Sequence, residues 1–433
     1  MKDFFILKKT AITKMQAAII AIIVIVAIVV GAAYYYTTLP GPTPTPKEKI
    51  VIGCAISLSG PYSSGASLHS IPYYKWIVDE YNAKGGLYVP EYGRRIPIEL
   101  RIVDDESSVD KMLTLTEKFI TVDKVDLIFP PWGTAMNFAA ISLYQKYHYP
   151  SVILTMQSDV ASEKIKNGEY SYAFLCLAPP HAIGKAMADF IEYVNEYKTS
   201  TRRIGIIFVA DQHGVENAGA VYRELYVRGF DIPVYQCYPI DIADFTPIIK
   251  TLSDANVDVL FASSYPADGA LLVRQCMAQN YNPKIMILGP GIDVPGLVYG
   301  PFAFTKEDVK GIINYSSMPA TAYKTPELQE WAEKHKQRIG AYPLVCSASF
   351  YAGLEALFQA VEKVGLDREK IRDALATQTF DTIAGKFRFI AGEGPEFEGA
   401  GCFGQWQGGE MMEVIWPLDV ATADMICPKT PWP

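Results

Sequence analysis

The chain predicts an α/β protein built from two successive lobes, ahead of which stand an apolar N-terminal helix and a short stalk. Three observations carry this. Strand-like apolar runs alternate with helical periods from Ile50 to about Ile313, the α/β signature. The pattern restarts near residue 180. Many of the predicted strands end in a loop rich in Gly, Pro, Ser or aromatic residues, where open parallel sheets bind ligands.

The N-terminus comes first. Lys2, Lys8, Lys9 and Lys14 precede Ala17–Tyr36, twenty residues without a charge. That length spans a bilayer as one helix, and leading lysines place the N-terminus inside and the remainder outside. Gly31-Ala32-Ala33 is a candidate cleavage site, so the expectation is an anchor or signal over 1–36, retained or removed. Residues 37–48 hold Leu39-Pro40-Gly41-Pro42-Thr43-Pro44-Thr45-Pro46, read as a stiff, extended stalk.

Composition narrows the function. The chain has 433 residues, half of them apolar, enough for two cores. Its net charge is −8, with no basic block after residue 14, so nucleic acid is not an expected partner. The seven cysteines have no C-x-x-C pairing and the five histidines no ligand spacing, so neither metal nor cofactor is expected. Gly399–Gly404 is a literal G-x-G-x-x-G, but it opens no strand-to-helix unit. Gly60–Gly65 is followed by Ala66 rather than a P-loop lysine. No nucleophile elbow or zinc-protease motif occurs, so an enzyme is not expected.

Along the chain, strand Ile50–Ala55 runs into the polar loop Ser57–Ser67, and a helix then stops at Gly85-Gly86. Strand Ile98–Val103 ends in Asp104-Asp105. Val125–Phe129 is a buried strand ending in Pro130-Pro131-Trp132-Gly133-Thr134, and Ser151–Leu154 is the next. Phe174–Pro180 is a connecting strand, because Pro179-Pro180 suits neither helix interior nor central strand. The second unit repeats the scheme: strand Arg203–Ala210, helix Asn217–Arg228 closed by Gly229, strand Ile232–Tyr238, helix Asp244–Asp254, and strands Val257–Ser263 and Ile285–Leu288. Helices follow at Pro326–Arg338 and Ser347–Val364, the latter with Tyr351, Leu354, Phe358 and Val361 on one face. The end is a hairpin turning at Gln407–Glu410.

The order and spacing of SLSGPYSSGA, DEYNAKGG and RIVDDESS, followed by FVADQHGVENAGAVYREL and QWQGGEMMEVIWP, resemble the extracellular leucine/isoleucine/valine-binding proteins of ABC importers. These are two-lobed, type I solute receptors. The resemblance runs from Lys49 to Pro417. It implies two Rossmann-like lobes with a ligand cleft between them, joined by three hinge segments near 174–181, 312–320 and 376–386. Lobe 1 is then 49–176 with 318–380, and lobe 2 is 177–317 with 381–433. The resemblance also implies an ABC permease as partner and a location on the outer face of the cytoplasmic membrane.

Carried over position by position, the first-lobe ligand contacts are Tyr62, Ser63, Ser64, Trp132, Gly133, Thr134, Met156, Gln157 and Ser158. Those of the second lobe are His213, Tyr265 and Asp293. Hydroxyls and backbone N–H groups would take a carboxylate, and Asp293 an ammonium. Three positions depart from the family pattern: the PPWGTA loop has one hydroxyl, Met156-Gln157-Ser158 replaces an Ala/Thr pair, and His213 replaces an aromatic. The expected ligand is an amino acid. A small amide or an aromatic or aliphatic carboxylic acid is the alternative, as is service as the receptor of a sensory complex.

Overall fold

The computed structural model describes residues 13–38, 47–316, 325–344, 347–396 and 402–433. The chain divides into two compact units, one ending at Pro46 and the other running from Lys47 to Pro433.

The first unit holds α1 (Lys14–Thr38), a helix of 25 residues. Among the described residues no helix is long and apolar enough to cross a membrane, so the expected transmembrane span is not borne out. The Pro-rich stretch 39–46 lies outside the described residues.

In the second unit, β1 (Ile50–Ile56) pairs in parallel with β4 (Ile98–Asp104) on one side and β5 (Leu127–Ile128) on the other. The loop expected over Ser57–Ser67 is partly helical: α2 (Ser63–His69) starts within it and α3 (Ile71–Ala83) follows at once. Between α3 and β4 lies an unforeseen hairpin, β2 (Leu87–Val89) with β3 (Arg94–Ile96), whose Gly93 takes φ 62°. The remaining elements are α4 (Val109–Thr121), α5 (Thr134–Tyr147), β6 (Ser151–Ile153), α6 (Asp159–Lys166) and β7 (Ala173–Leu175). β6 and β7 are paired in parallel.

The other lobe has a seven-stranded sheet. Its elements are α7 (Pro180–Tyr197), β8 (Arg203–Val209), α8 (Gln212–Val227), β9 (Asp231–Tyr238), α9 (Thr246–Asp254), β10 (Val259–Ser263), α10 (Pro266–Ala278), β11 (Ile285–Gly289), α11 (Pro295–Val298), α12 (Lys306–Val309) and β12 (Ile313–Ser316). The chain then returns to the first lobe as α13 (Pro326–Ile339), α14 (Ser347–Val364) and α15 (Arg368–Thr377). Trp331 of α13 stacks on Trp76 of α3, and α14 packs on α3 and β2. Two short antiparallel pairs come next, β13 (Phe380–Thr382) with β14 (Gly385–Phe387) and β15 (Phe389–Ile390) with β16 (Gly394–Pro395). The hairpin β17 (Cys402–Gln405) and β18 (Glu413–Trp416) closes the second sheet, in the order β18-β17-β12-β11-β10-β8-β9.

Residues 380–395 pack against α14, α15 and β7, and the chain pairs with the seven-stranded sheet again from Cys402. These short strands have no long apolar run, so nothing in them marked the lobe they pack on. Cys54, Cys176 and Cys276 are buried thiols, and burial pushes each pKa up. They act as small core residues.

Each sheet reverses direction once. β1 sends the chain outward to β4 before it returns to β5, and β8 sends it to β9 before β10. Such switch points leave a crevice at the strand carboxyl ends.

Candidate functional site

A cavity lies at these switch points, with an empty volume of about 580 Å³, part of it continuous with solvent. The space inside it that can hold water-sized molecules is about 70 Å³, small beside the roughly 300–1,000 Å³ of ordinary small-molecule sites. Of the twelve residues the sequence singled out, seven line it: Trp132, Gly133, Thr134, Gln157, His213, Tyr265 and Asp293.

On the first-lobe side, Gly133 takes φ 93°, a conformation that favours glycine, and ends the loop so that α5 begins at Thr134. The Gly133 amide donates to Thr155 Oγ1 at 3.0 Å, and the Gln157 amide to Thr134 Oγ1 at 3.2 Å. Two hydroxyls are thereby fixed at the wall with their own protons still to donate. Trp132 is fully buried and its indole N–H donates to His69 Nδ1 at 3.2 Å. Its ring lies parallel to the imidazole, with centroids 5.8 Å apart.

On the second-lobe side, α8 starts five residues earlier than the sequence predicts. Asp211 caps it, accepting from the Gly214 amide at 3.0 Å. His213 is therefore helical and buried. Its Nδ1 is 3.1 Å from Asn217 Nδ2 and its Nε2 3.2 Å from Ser263 Oγ, so the protein engages both ring nitrogens. The ring stacks on Tyr265, with centroids 5.2 Å apart. Burial lowers the His213 pKa despite the nearby Asp211 charge. His213 thus offers a neutral ring face to the cavity.

Tyr265 is held by its backbone and its hydroxyl. Its amide donates to Asp268 Oδ1 at 2.8 Å, and its hydroxyl to Asp211 Oδ2 at 2.6 Å. Asp293 is buried and accepts from the Gly291 amide. Among the described residues it is the only acidic side chain lining the cavity, and neither lysine nor arginine lines it.

Five expected contacts are placed elsewhere. Tyr62 packs behind the wall, its ring 5.8 Å from Trp132 and 5.5 Å from Tyr265. Ser63 Oγ donates to the Gly60 carbonyl at 2.7 Å, because helix α2 starts there. Ser64 Oγ is buried without a hydrogen-bond partner among the described residues. Met156 is fully buried in the core. Ser158 caps α6 and donates to Glu216 at 2.8 Å. Conversely, His69, Thr155, Leu177, Pro290, Asn314, Tyr315 and Phe350 complete the lining unforeseen. Thr155 is one residue from the predicted Met156; both lie beyond the end of β6, in the bend that leads to α6, where no strand or helix period marks which side chain faces the cavity. Phe350 comes from a long helix that read only as core.

This geometry agrees with what the chain resembles. Residues 49–410 match the family model described as "Periplasmic binding protein". The chain belongs to the periplasmic binding protein family. It is therefore a solute-binding protein and not an enzyme, and the family implies a periplasmic or extracellular location. Leu/Ile/Val-binding protein homolog 7 of Brucella abortus is 24% identical over 374 residues, covering 81% of this chain and 88% of its own. In fold, the chain is similar to the branched-chain amino acid transporter substrate-binding protein LivJ of Streptococcus pneumoniae, solved with isoleucine: TM-score 0.71, 19% identity, covering 85% of this chain and all of that one. It is similar also to a solute-binding protein of an R. palustris ABC transporter solved with benzoate: TM-score 0.68, 17% identity, 88% and 98% covered.

Proposed function

We propose that this periplasmic binding protein captures an amino acid between its lobes and delivers it to an ABC permease for import. The observation that carries the ligand class is the placement of Asp293. A lone carboxylate in a cavity lined, among the described residues, by neither lysine nor arginine calls for a ligand that brings its own positive charge. The opposite wall supplies what a carboxylate needs. Thr134 and Thr155 present hydroxyls there, and α5 begins at Thr134, where the first helical amides lack acceptors within the helix. A zwitterion meets both ends.

A second reading has one specific support. Trp132, His213, Tyr265, Tyr315 and Phe350 give the cavity aromatic walls, and a protein of similar fold was solved with benzoate. An aromatic acid would leave Asp293 unpaired, at a cost of several kcal/mol. Mass spectrometry of solute released by denaturing the purified protein decides between them: an amine-bearing acid supports the first reading and an amine-free aromatic acid the second.

A further inference from the structure

The lobes also touch outside the cavity. Glu216 projects from α8 of the second lobe onto the start of α6 in the first. Its Oε1 accepts from Ser158 Oγ at 2.8 Å and its Oε2 from the Asp159 amide at 2.5 Å. The Val160 amide lies 3.4 Å from the same Oε2. Gln212 Nε2, one turn back on α8, donates to Glu216 Oε1 at 2.8 Å and to Ser158 Oγ at 3.2 Å. The carboxylate therefore caps the N-terminus of a helix in the other lobe, where the orphan amides and the helix dipole both favour a negative charge. The Asp159 carboxylate, which would repel it, is drawn to His181 Nδ1 at 2.7 Å. Glu216 does not line the cavity.

We propose that Glu216 is a positioning residue for solute binding: a clasp that holds the lobes together without touching the ligand and so sets how much of the empty protein is already closed. Ligand binds the closed state, and apparent affinity scales with the fraction of protein that is competent. Removing the clasp lowers affinity for every ligand by the same factor. A change at Asp293 separates ligands by their amine.

The test uses the full chain without ligand. Hydrogen-exchange mass spectrometry follows a peptide that begins at least two residues before Asp159 and runs to Lys166, with a β8 peptide as the control. In the wild type, the Asp159 and Val160 amides are expected to exchange at least about tenfold more slowly than in Glu216→Ala, with β8 unchanged and Glu216→Gln between the two. Equal exchange at these amides in wild type and Glu216→Ala would overturn the clasp. No ligand enters the measurement, so an error in the ligand class leaves the result intact. A second arm titrates isoleucine and benzoate. Equal-fold weakening of whichever binds agrees with the clasp, and unchanged affinity in Glu216→Ala overturns it.

Discussion

Tyr265 and Asp211 are joined by a 2.6 Å hydrogen bond from hydroxyl to Oδ2, and that same oxygen lies 3.4 Å from the Tyr62 hydroxyl of the opposite lobe. One carboxylate thus fixes the aromatic wall of the cavity and faces the lobe that must close on it. The Asp211 charge and burial together raise the pKa of both phenols, so they stay protonated donors. Tyr265→Phe keeps the stack on His213 and removes the donor. A hydrogen bond to a charged group contributes about 1.5–3 kcal/mol, so stability in urea is expected to fall by up to that amount. Unchanged unfolding midpoint and unchanged ligand affinity would show the bond to be dispensable.

Asp268 gives the fold a dependence on pH. Burial raises its carboxyl to about 6, against about 3.9 in an unfolded chain. The folded protein holds this proton more tightly, so the contribution is complete below about pH 4 and is lost as pH rises through 6. The difference amounts to about 3 kcal/mol. Asp268→Asn retains an acceptor for the Tyr265 amide and places a donor toward Tyr238, whose hydroxyl is 2.7 Å away. The variant is expected to gain on the wild type as pH is raised from 4 to 7.5. Parallel stability curves for the two proteins over that interval would refute the assignment.

How much was legible varies with the kind of residue. Loops at strand ends were readable, because Gly133, Pro130 and Pro266 interrupt apolar runs in a way that only turns tolerate. That exposed Trp132, Thr134 and Tyr265 as candidates. Helix starts inside polar loops were not readable: Ser63 and Ser64 look like loop donors until α2 turns them into its first residues. Phe350, Tyr315 and His69 were invisible for a deeper reason. Each lies in a regular element and is apolar or buried, and nothing local separates a side chain packed in a core from one facing an interlobe cavity.

Gly65 controls the position of Trp132. A Cβ built there would lie 2.1 Å from the indole Cζ2, so the ring or the helix that carries the Cβ must shift. Gly65→Ala is expected to cost about 1–3 kcal/mol of stability, as overpacked sites do, and to move the indole relative to the cavity. The shift should appear as a change in the intrinsic fluorescence response to ligand. A variant with wild-type stability and response would mean that α2 moves aside instead.

His213 bears on whether acid strengthens binding. With both nitrogens engaged and its pKa lowered by burial, the ring stays neutral above its usual pKa of about 6.5. Affinity measured by calorimetry between pH 6.5 and 8 is therefore expected to be flat. A rise in affinity as pH falls across that interval, abolished by His213→Phe, would restore a charged imidazole at the ligand.

Asp293 carries the ligand class, so its removal should discriminate. In Asp293→Asn the Gly291 amide keeps an acceptor, so the loop conformation is preserved. What is lost is the charge opposite an ammonium, and truncating a buried, hydrogen-bonded charge pair costs roughly 2–5 kcal/mol. An amino acid that binds the wild type should therefore weaken by about 30-fold or more. The same acid without its amine should bind the variant at least as well as the wild type, because the variant no longer buries an unpaired carboxylate beside it. Equal losses for both ligands would show that Asp293 shapes the loop rather than reading the amine, and would move the proposed ligand from amino acids to simple acids.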